Sequence, residues 1–361
     1  MPSFPLAPCS TIGVIGGGQL GRMTALAAAR LGFDVAVLDP DPDCPAARVA
    51  ARFIEAAYDD PAGLKALAEA ADVVTFEFEN VPAESVQKLL DLGAAVTPGP
   101  RALAVAQDRV AEKTFLNSIG VPTVAFAEAS SRKGATEAVQ ALGPPCLIKT
   151  RRQGYDGKGQ TWIEHVADAA DAYGRIGAQP AIVEAPANFV RELSAIAARG
   201  RNGETALYPL GENHHENGIL RRTHAPAAVK RSTAAQAQQI AARILTALDY
   251  VGVLAVEMFE LADGRLLVNE IAPRVHNSGH WTLDGCEVDQ FEQHVRAVAG
   301  WPLGPTIALA NTEMVNLLGD EVDDWPKLIA EPAARLWLYG KREARAGRKM
   351  GHLNRLRPLD D

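Results

Sequence analysis

Two glutamates in the last third of the chain are spaced so that they could share one cation. The segment "VLAVEMFELADGRLLVNEIAPR" has alternating apolar runs on either side of Asp263-Gly264, a dipeptide typical of a two-residue hairpin turn. Such a turn places Glu257 directly opposite Glu270 on one face, with Cβ atoms about 5 Å apart. Carboxylates this close repel each other unless one pKa rises or a divalent cation intervenes, and Mg²⁺ suits carboxylates combined with substrate phosphates. We therefore predict that Glu257 and Glu270 bind Mg²⁺; the alternative is a solvated hairpin face with two unconnected acids. In this register Asn269 points to the other face, unless the strand bulges.

A lysine and a run of glycines upstream indicate a phosphate site. In "LIKTRRQGYDGKGQTW", Lys149 ends an apolar strand, and Gly154, Gly157 and Gly159 precede another strand. The segment lacks both the G-K-[ST] ending and the following helix of a P-loop. A glycine-rich turn between strands can instead offer backbone N–H groups to phosphates, with Lys149 as a point charge. A flexible surface hairpin is the alternative, but beside a Mg²⁺ pair the loop favours ATP.

The N-terminal segment "IGVIGGGQLGRM" matches the dinucleotide-binding fingerprint. Gly16, Gly18 and Gly21 fit G-x-G-x-x-G after an apolar strand, and Asp39 follows where an acid would bind a ribose. The motif alone allows an NAD-binding protein. Two opposed glutamates on a hairpin have no use in hydride transfer, so we expect this glycine turn to serve another ligand.

The elements around these motifs predict an α/β protein of three parts. Apolar strands alternate with helices in the first hundred residues, which indicates βαβ units and a Rossmann-like parallel sheet. The predicted strands of this part are 11–16, 34–40, 72–79 and 94–100. One long helix over 101–120 leads into short strands typical of an antiparallel sheet, and the tail resembles a small closing β subdomain. We divide the chain into an N-terminal Rossmann-like substrate-binding domain (1–109), a central domain (110–304) and a C-terminal β subdomain (305–361).

Composition limits the class of protein. The 361-residue chain is 47% hydrophobic and 22% charged, as in ordinary globular proteins, and its formal net charge of −8 argues against nucleic-acid and membrane partners. The four scattered cysteines suggest neither disulfides nor a zinc site, which favours a reducing compartment. The N-terminus has no Lys or Arg before Arg22 and no long apolar run, so we expect no signal peptide and a cytoplasmic protein.

Taken together, the motifs resemble the ATP-grasp superfamily of carboxylate–amine ligases. Within it, "GGGQLGRM", "TFEFENVP", "KTRRQGYDGKGQ", "YPLGENHHENGILRRTHAP", "NEIAPRVHNSGHWT" and "GRKMGHLN" are similar to the N5-carboxyaminoimidazole ribonucleotide synthetase family, over nearly the whole chain. The resemblance implies a central ATP-grasp domain, ATP and Mg²⁺ as cofactors, and a homodimer. The implied reaction is carboxylation of 5-aminoimidazole ribonucleotide with ATP and bicarbonate, through carboxyphosphate, in purine biosynthesis. The alternative is another ATP-grasp ligase, such as a biotin carboxylase or a formate-dependent transformylase, which "HNSGHW" and "GYDGKG" disfavour.

The resemblance also implies roles for residues at matching positions. ATP would be bound by Arg109, Lys149, Gly154, Tyr155, Asp156, Gly157, Lys158, Gly159, Gln160, Glu184, Ala185, Pro186, Ala187, Glu192, His215, Asn269 and Glu270. The ribonucleotide would be bound by Gln19, Glu77 or Glu79, Tyr155, Asp156, Lys158, Lys341 and Arg348. The catalytic candidates are Asp156, Arg274, His276 and Asn277. Because Glu77 and Glu79 alternate with phenylalanines on one strand face, a merely structural role for one of them stays open.

Overall fold

Four strands of the N-terminal region form the parallel sheet that the βαβ pattern predicts. The computed structural model describes residues 2–152, 154 and 159–359. In chain order this region contains β1 (Thr11–Ile15), α1 (Gln19–Arg30), β2 (Asp34–Asp39), β3 (Arg52–Glu55), α2 (Pro61–Ala70), β4 (Val73–Phe76), α3 (Ala83–Asp91), α4 (Pro100–Ala106) and α5 (Arg109–Ser118). The strands pair in the order β3-β2-β1-β4, all parallel. The carboxyl ends of β1 and β4 therefore deliver the glycine turn and Glu77 to the same edge of the sheet.

Two strands of this region differ from the prediction. Residues 94–100 contribute only a bridge between Val74 and Val96, and the fourth strand is instead β3, which is too short to show an alternating pattern. Strand β4 ends at Phe76, earlier than predicted, so Glu77 and Glu79 lie just beyond it.

The predicted helix over 101–120 is in fact two helices. Helix α4 ends at Ala106 and α5 begins at Arg109, because Asp108 has extended backbone angles and caps the second helix. Its carboxylate accepts hydrogen bonds from Val110 N at 3.1 Å and Ala111 N at 3.2 Å. The apolar periodicity runs through this position, which is why the pattern alone joined the two helices.

A small antiparallel sheet follows. Its elements in chain order are β5 (Phe126–Ala129), α6 (Arg132–Leu142), β6 (Cys146–Thr150), β7 (Gln160–Ile163), α7 (Ala169–Arg175) and β8 (Ala181–Glu184). The strands pair in the order β5-β8-β6-β7. Helices α6 and α7 pack on one face together with Ile148, so Leu147 and Lys149, its neighbours on β6, lie on the opposite face.

The other strands form one large antiparallel sheet. Its elements in chain order are β9 (Phe189–Arg199), β10 (Thr205–Leu207), β11 (Gly211–Glu216), β12 (Ile219–Ala225), α8 (Arg231–Ala247), β13 (Gly252–Leu261), β14 (Leu266–Ala272), α9 (Thr282–Gly285), α10 (Gln290–Ala299), β15 (Asn311–Leu318), α11 (Trp325–Leu328), β16 (Ala334–Leu338) and β17 (Lys349–Arg357). The strands pair in the order β14-β13-β9-β11-β12-β15-β17-β16, with β10 on β9. The predicted C-terminal β region is thus confirmed, and its strands continue the central sheet.

Apolar packing joins the N-terminal region to the large sheet. One buried cluster includes Met23 of α1, Phe33, Tyr208, Trp281 and Phe291 of α10. Within the described part of the chain, no helix has both the length and the apolar character needed to cross a membrane.

Replacing Gly17 with alanine is expected to destabilise the N-terminal region. A Cβ at this position collides with Sγ of the buried Cys44 and lies 3.1 Å from Asp39 Cβ. Overpacking of this kind costs about 1–3 kcal/mol, so the urea midpoint of Gly17→Ala should fall. In a double-mutant cycle, Cys44→Ala should reduce the cost of Gly17→Ala because it removes the sulfur atom.

Gly99→Ala is the matched control, since a Cβ there meets no atom within 4 Å. An equal cost of Gly17→Ala in the wild-type and Cys44→Ala backgrounds would show that the collision is not the cause.

Candidate active site

A cavity of about 590 Å³ lies between the three sheets. Most of the predicted site residues line it, and they come from the N-terminal and central regions of the chain. They are Gln19, Glu77, Glu79, Arg109, Lys149, Gly154, Gln160, Glu184, Ala185, Pro186, Ala187, Glu192, His215, Glu257, Asn269, Glu270, Arg274, His276 and Asn277. Three other described residues of the prediction, Gly159, Lys341 and Arg348, lie outside its wall. Tyr155, Asp156, Gly157 and Lys158 fall outside the described residues.

Glu257 on β13 and Glu270 on β14 lie opposite each other, but by a different route from the predicted one. The turn has three residues, 262–264, and is closed by Gly264 with a φ of 84°. Asn269 then forms a bulge in β14 that restores the pairing of the two glutamates. The predicted two-residue turn is therefore wrong. The extra turn residue shifts the pairing by one position, and the bulge at Asn269 shifts it back. The bulge also brings Asn269 to the cavity wall beside Glu270.

The two carboxylates have unequal surroundings. Arg109 Nη1 donates to Glu270 Oε2 at 2.8 Å; although burial acts in the opposite direction, this guanidinium lowers the pKa of Glu270. Burial, and then the charge of Glu270, raise the pKa of Glu257 to about 7. His276 Nε2 lies 3.3 Å from Glu257 Oε1, but burial and Arg274 hold the pKa of His276 well below its usual range. Glu257 is therefore the member of the pair whose charge the protein compensates least.

Helix α5 holds β14 through charged side chains on one face. Glu112 Oε1 accepts a hydrogen bond from Ile271 N at 2.7 Å, and Lys113 Nζ donates to the bulged Asn269 O at 3.0 Å. With the Arg109 ion pair, the helix thus contacts three consecutive residues of β14. Burial, and then Glu270, raise the pKa of Glu112 to about 8. Glu112 and Lys113 are buried, and sequence reasoning missed them; the available signal is their i+3 and i+4 spacing from Arg109.

Glu184 ends β8 between two lysines. Lys149 Nζ lies 2.7 Å from its Oε2 and Lys113 Nζ lies 3.2 Å from its Oε1. Burial raises the pKa of Glu184, but the two ammonium groups outweigh it and lower the value to about 2. The segment that follows, 185–187, forms the adjoining wall of the cavity.

Glu192 on β9 and His215 on β11 form a close pair at the cavity. His215 Nδ1 lies 2.5 Å from Glu192 Oε2, and this contact raises the pKa of His215 although burial lowers it. Adjacent residues on a strand point to opposite faces, and the exposed His214 accordingly does not line the cavity.

Carboxylates of the protein itself engage the amides of the N-terminal glycine turn. Glu77 accepts from Gly18 N at 2.5 Å and from Leu20 N at 3.1 Å at the start of α1, and burial raises its pKa. Asp39 Oδ2 accepts from Gly17 N at 2.6 Å. In dinucleotide-binding proteins the amides of this turn bind the pyrophosphate. Here they already have partners, so the NAD interpretation of the motif does not hold.

The segment after β14 brings three predicted catalytic residues to the cavity. Arg274 forms an ion pair with Glu79. Because Glu77 accepts hydrogen bonds from the glycine turn, both acids have partners in the structure. His276 is held by Ser278, whose Oγ lies 2.8 Å from His276 Nδ1. Asn277 is buried next to them at the cavity wall.

The C-terminal region reaches the cavity through Lys349, the first residue of β17, which sequence reasoning missed. Lys341 Nζ donates to Lys349 O at 2.8 Å, and Arg348 Nη1 donates to Glu343 O at 3.0 Å. The predicted cations therefore lie beside the one that lines the cavity. The basic run "YGKREARAGRK" contains no pattern that distinguishes Lys349 from its neighbours.

Three family models match the chain. They are the ribonucleotide synthetase preATP-grasp domain over residues 9–107, the ATP-grasp domain over 114–291 and the phosphoribosylaminoimidazole carboxylase C-terminal domain over 312–360. The N5-carboxyaminoimidazole ribonucleotide synthase of Brucella melitensis is 51% identical over 99% of both chains. A crystal structure of an N5-carboxyaminoimidazole ribonucleotide synthetase with ADP matches with a TM-score of 0.94 at 42% identity, covering 98% of this chain and 93% of that one. The Aspergillus clavatus synthase in complex with ADP and 5-aminoimidazole ribonucleotide matches with a TM-score of 0.91 at 30% identity, covering 97% and 94%.

In the absence of divalent cations, the free energy of unfolding of Glu257→Gln should fall less between pH 5 and pH 8 than that of the wild type. The folded pKa of about 7 lies above the usual carboxyl value near 4.3. Between these values the folded state binds more protons than the unfolded state, so the free energy of unfolding falls as pH rises. The variant lacks this group, so a decrease of up to about 3 kcal/mol in the free energy of unfolding should be absent from it. Urea unfolding of both proteins in chelator at pH 5, 6.5 and 8 measures the difference.

Glu204→Gln serves as the control, because Glu204 is exposed in the loop before β10 and does not line the cavity. Equal pH slopes for the wild type and Glu257→Gln would contradict the raised pKa.

Proposed function

The chain belongs to the family of N5-carboxyaminoimidazole ribonucleotide synthases, and from this we infer that it is an ATP-grasp ligase that carboxylates 5-aminoimidazole ribonucleotide with ATP and bicarbonate in purine biosynthesis. The products are N5-carboxyaminoimidazole ribonucleotide, ADP and phosphate. The observation that carries the assignment of the site is the opposed pair Glu257 and Glu270, in one cavity with Lys149 and Arg109. This combination of two acids and two cations suits a nucleotide triphosphate with its divalent cation.

ATP would lie along the wall formed by the small sheet and β9. Lys149 and Arg109 would contact its phosphates, with the glycine-rich segment 154–160 above them. The backbone of residues 184–187 would form hydrogen bonds with the edge of the adenine ring. Glu192, beside His215, would accept hydrogen bonds from the ribose hydroxyls.

The residues fit Mg²⁺. The donors are hard carboxylate oxygens; burial and then the charge of Glu270 raise the pKa of Glu257, and a cation would relieve the repulsion between the two carboxylates. Among the described residues no group of three His, Cys, Asp or Glu side chains is placed to hold a metal, so substrate phosphates and water would complete the coordination. Asn269 would stand beside the pair. Bound Mg²⁺ would offset the negative charge that develops on the transferred phosphoryl group.

Two transfers complete the reaction. A bicarbonate oxygen attacks the γ-phosphorus of ATP and the bond to the bridging oxygen breaks, which releases ADP and forms carboxyphosphate. Carboxyphosphate then breaks to CO₂ and phosphate, and the exocyclic amine of the ribonucleotide attacks CO₂ and loses a proton. Arg109 and Lys149 would stabilise charge in the first transfer. Arg274, His276 and Asn277 would orient the carboxyl group in the second, with Asp156 as a further catalytic candidate.

The ribonucleotide would lie at the end of the cavity next to the glycine turn. Gln19 and either Glu77 or Glu79 would contact it there. Tyr155 and Lys158 would cover it, and Lys341 and Arg348 would bind its phosphate from the C-terminal region. Both of these cations lie beside the cavity-lining Lys349, which supports their assignment.

Three further expectations belong to this proposal. The division into 1–109, 110–304 and 305–361 assigns substrate binding, ATP binding and closure to separate segments. Family membership supports a homodimer, which light scattering would test. The four cysteines are all free thiols, three of them buried, which supports a reducing cytoplasmic setting.

ADP release by the purified protein with Mg-ATP and bicarbonate tests the assignment. Addition of 5-aminoimidazole ribonucleotide should stimulate release strongly, and the stimulation should require bicarbonate. Glu270→Gln should reduce the stimulated rate by about 100-fold or more, because it removes a carboxylate that would hold the divalent cation beside the transferred phosphoryl group. Coupled ADP detection at saturating substrates measures these rates.

The exposed Glu204→Gln should retain the wild-type rate. If the ribonucleotide does not change the rate of ADP release, its role as acceptor is rejected. The acceptors of biotin carboxylases and formate-dependent transformylases should then be tried.

A further inference from the structure

We propose that Asn316 is a positioning residue for carboxyl transfer, whose side-chain amide fixes the orientation of the Asn277 amide at the cavity. Asn316 lies on β15 in the C-terminal region, behind the cavity wall, and is completely buried. The inference rests on the function proposed above for the cavity and adds a residue outside the predicted site.

The two side-chain amides form a reciprocal pair. Asn277 Nδ2 donates to Asn316 Oδ1 at 2.9 Å, and Asn316 Nδ2 donates to Asn277 Oδ1 at 2.6 Å. If either amide turned over, N–H would face N–H and oxygen would face oxygen. While Asn316 keeps its own orientation, the pair therefore permits only one orientation of the Asn277 amide. One N–H and one oxygen lone pair of its amide remain for a substrate.

Asn316 is itself anchored to the large sheet. Its Nδ2 also donates to the backbone oxygen of Leu220, a cavity-lining residue, at 2.8 Å. Arg221 Nη1 donates to Asn316 O at 2.6 Å and forms a bidentate ion pair with Glu321 at 2.6 and 2.7 Å. The orientation of Asn277 is thus set by paired strands as well as by its own loop.

Orientation matters most in the second transfer. Carboxyphosphate and CO₂ must meet the amine before they are lost to water, and a fixed amide can contact a carboxyl oxygen without first reorganising. Cleavage of ATP depends on a different set of groups, Lys149, Glu257 and Glu270. Loss of the amide pair should therefore slow carboxyl transfer more than ADP formation.

The test measures ADP and carboxylated product in the same reaction for the wild type, Asn316→Ala and Asn316→Asp. Product formation should fall about 10-fold or more in both variants. The ratio of ADP to product should rise above that of the wild type, while the KM for ATP stays within about twofold. Asn316→Asp keeps the side-chain shape but cannot donate to Asn277, so it provides the result if the alanine variant does not fold.

Asn354→Ala is the matched control. Asn354 is buried on the neighbouring strand β17, and its amide donates to His280 O at 3.0 Å and to Asp284 Oδ2 at 2.7 Å. This variant should lose thermal stability with a wild-type ADP-to-product ratio. Asn277→Ala should uncouple the enzyme, and adding Asn316→Ala to it should change the ratio no further.

A wild-type ratio in Asn316→Asp would overturn the positioning role. Failure of the proposed function looks different, because ADP release by the wild type would then not depend on the ribonucleotide at all.

Discussion

Repulsion between Glu257 and Glu270 is the constraint around which the site is built. The hairpin register holds the two carboxylates together, and Arg109 forms an ion pair with Glu270. Glu257 keeps a raised pKa in its buried setting, and this costs free energy. A carboxylate pair whose charge a cation and a nucleotide would balance suits the proposed ligase, because their binding would assemble the charge balance that phosphoryl transfer needs.

The break between α4 and α5 makes this arrangement possible. Asp108 caps α5 and also binds the guanidinium of Arg151, which precedes the glycine-rich segment. From that fixed start, α5 contacts three consecutive residues of β14 and places Lys113 between the bulge of β14 and Glu184 on β8. The buried ammonium of Lys113 thus links β14, which bears Glu270, to β8, which ends at the proposed adenine wall. A lysine with two partners of this kind is tolerated in the interior because its charge is matched and its donors are used.

Sequence patterns predicted which residues line the cavity better than they predicted the elements that position those residues. Glycine, lysine and acid motifs depend on local spacing, and the parallel sheet follows from βαβ alternation, so these were recoverable. The sequence correctly paired Glu257 with Glu270, but from an incorrect turn length. The turn has three residues instead of two, and a bulge at Asn269, which the sequence pattern did not predict, restores the pairing. The spacing of Lys113 from Arg109 indicates a shared helix face, but the partners of Lys113 and Asn316 could not be predicted. These partners are about 40 residues away or more, and neither helix periodicity nor strand alternation reports contacts between elements.

The C-terminal strands belong to the same sheet as the cavity wall, whereas a separate closing subdomain would only cover it. Strand β15 pairs with β12, and β12 pairs with β11, which bears His215, so the C-terminal region is continuous with the wall of the cavity. Lys349 enters the cavity from β17 on the same sheet. Residues delivered by paired strands keep their positions through the hydrogen-bond ladder, whereas a hinged lid would have to re-form its contacts in each cycle. A labile intermediate such as carboxyphosphate is better served by the first arrangement, because its lifetime leaves little time for groups to be placed after it forms. The continuity of the large sheet therefore supports the proposed function, because it would hold the C-terminal residues in place beside an intermediate whose phosphate comes from ATP.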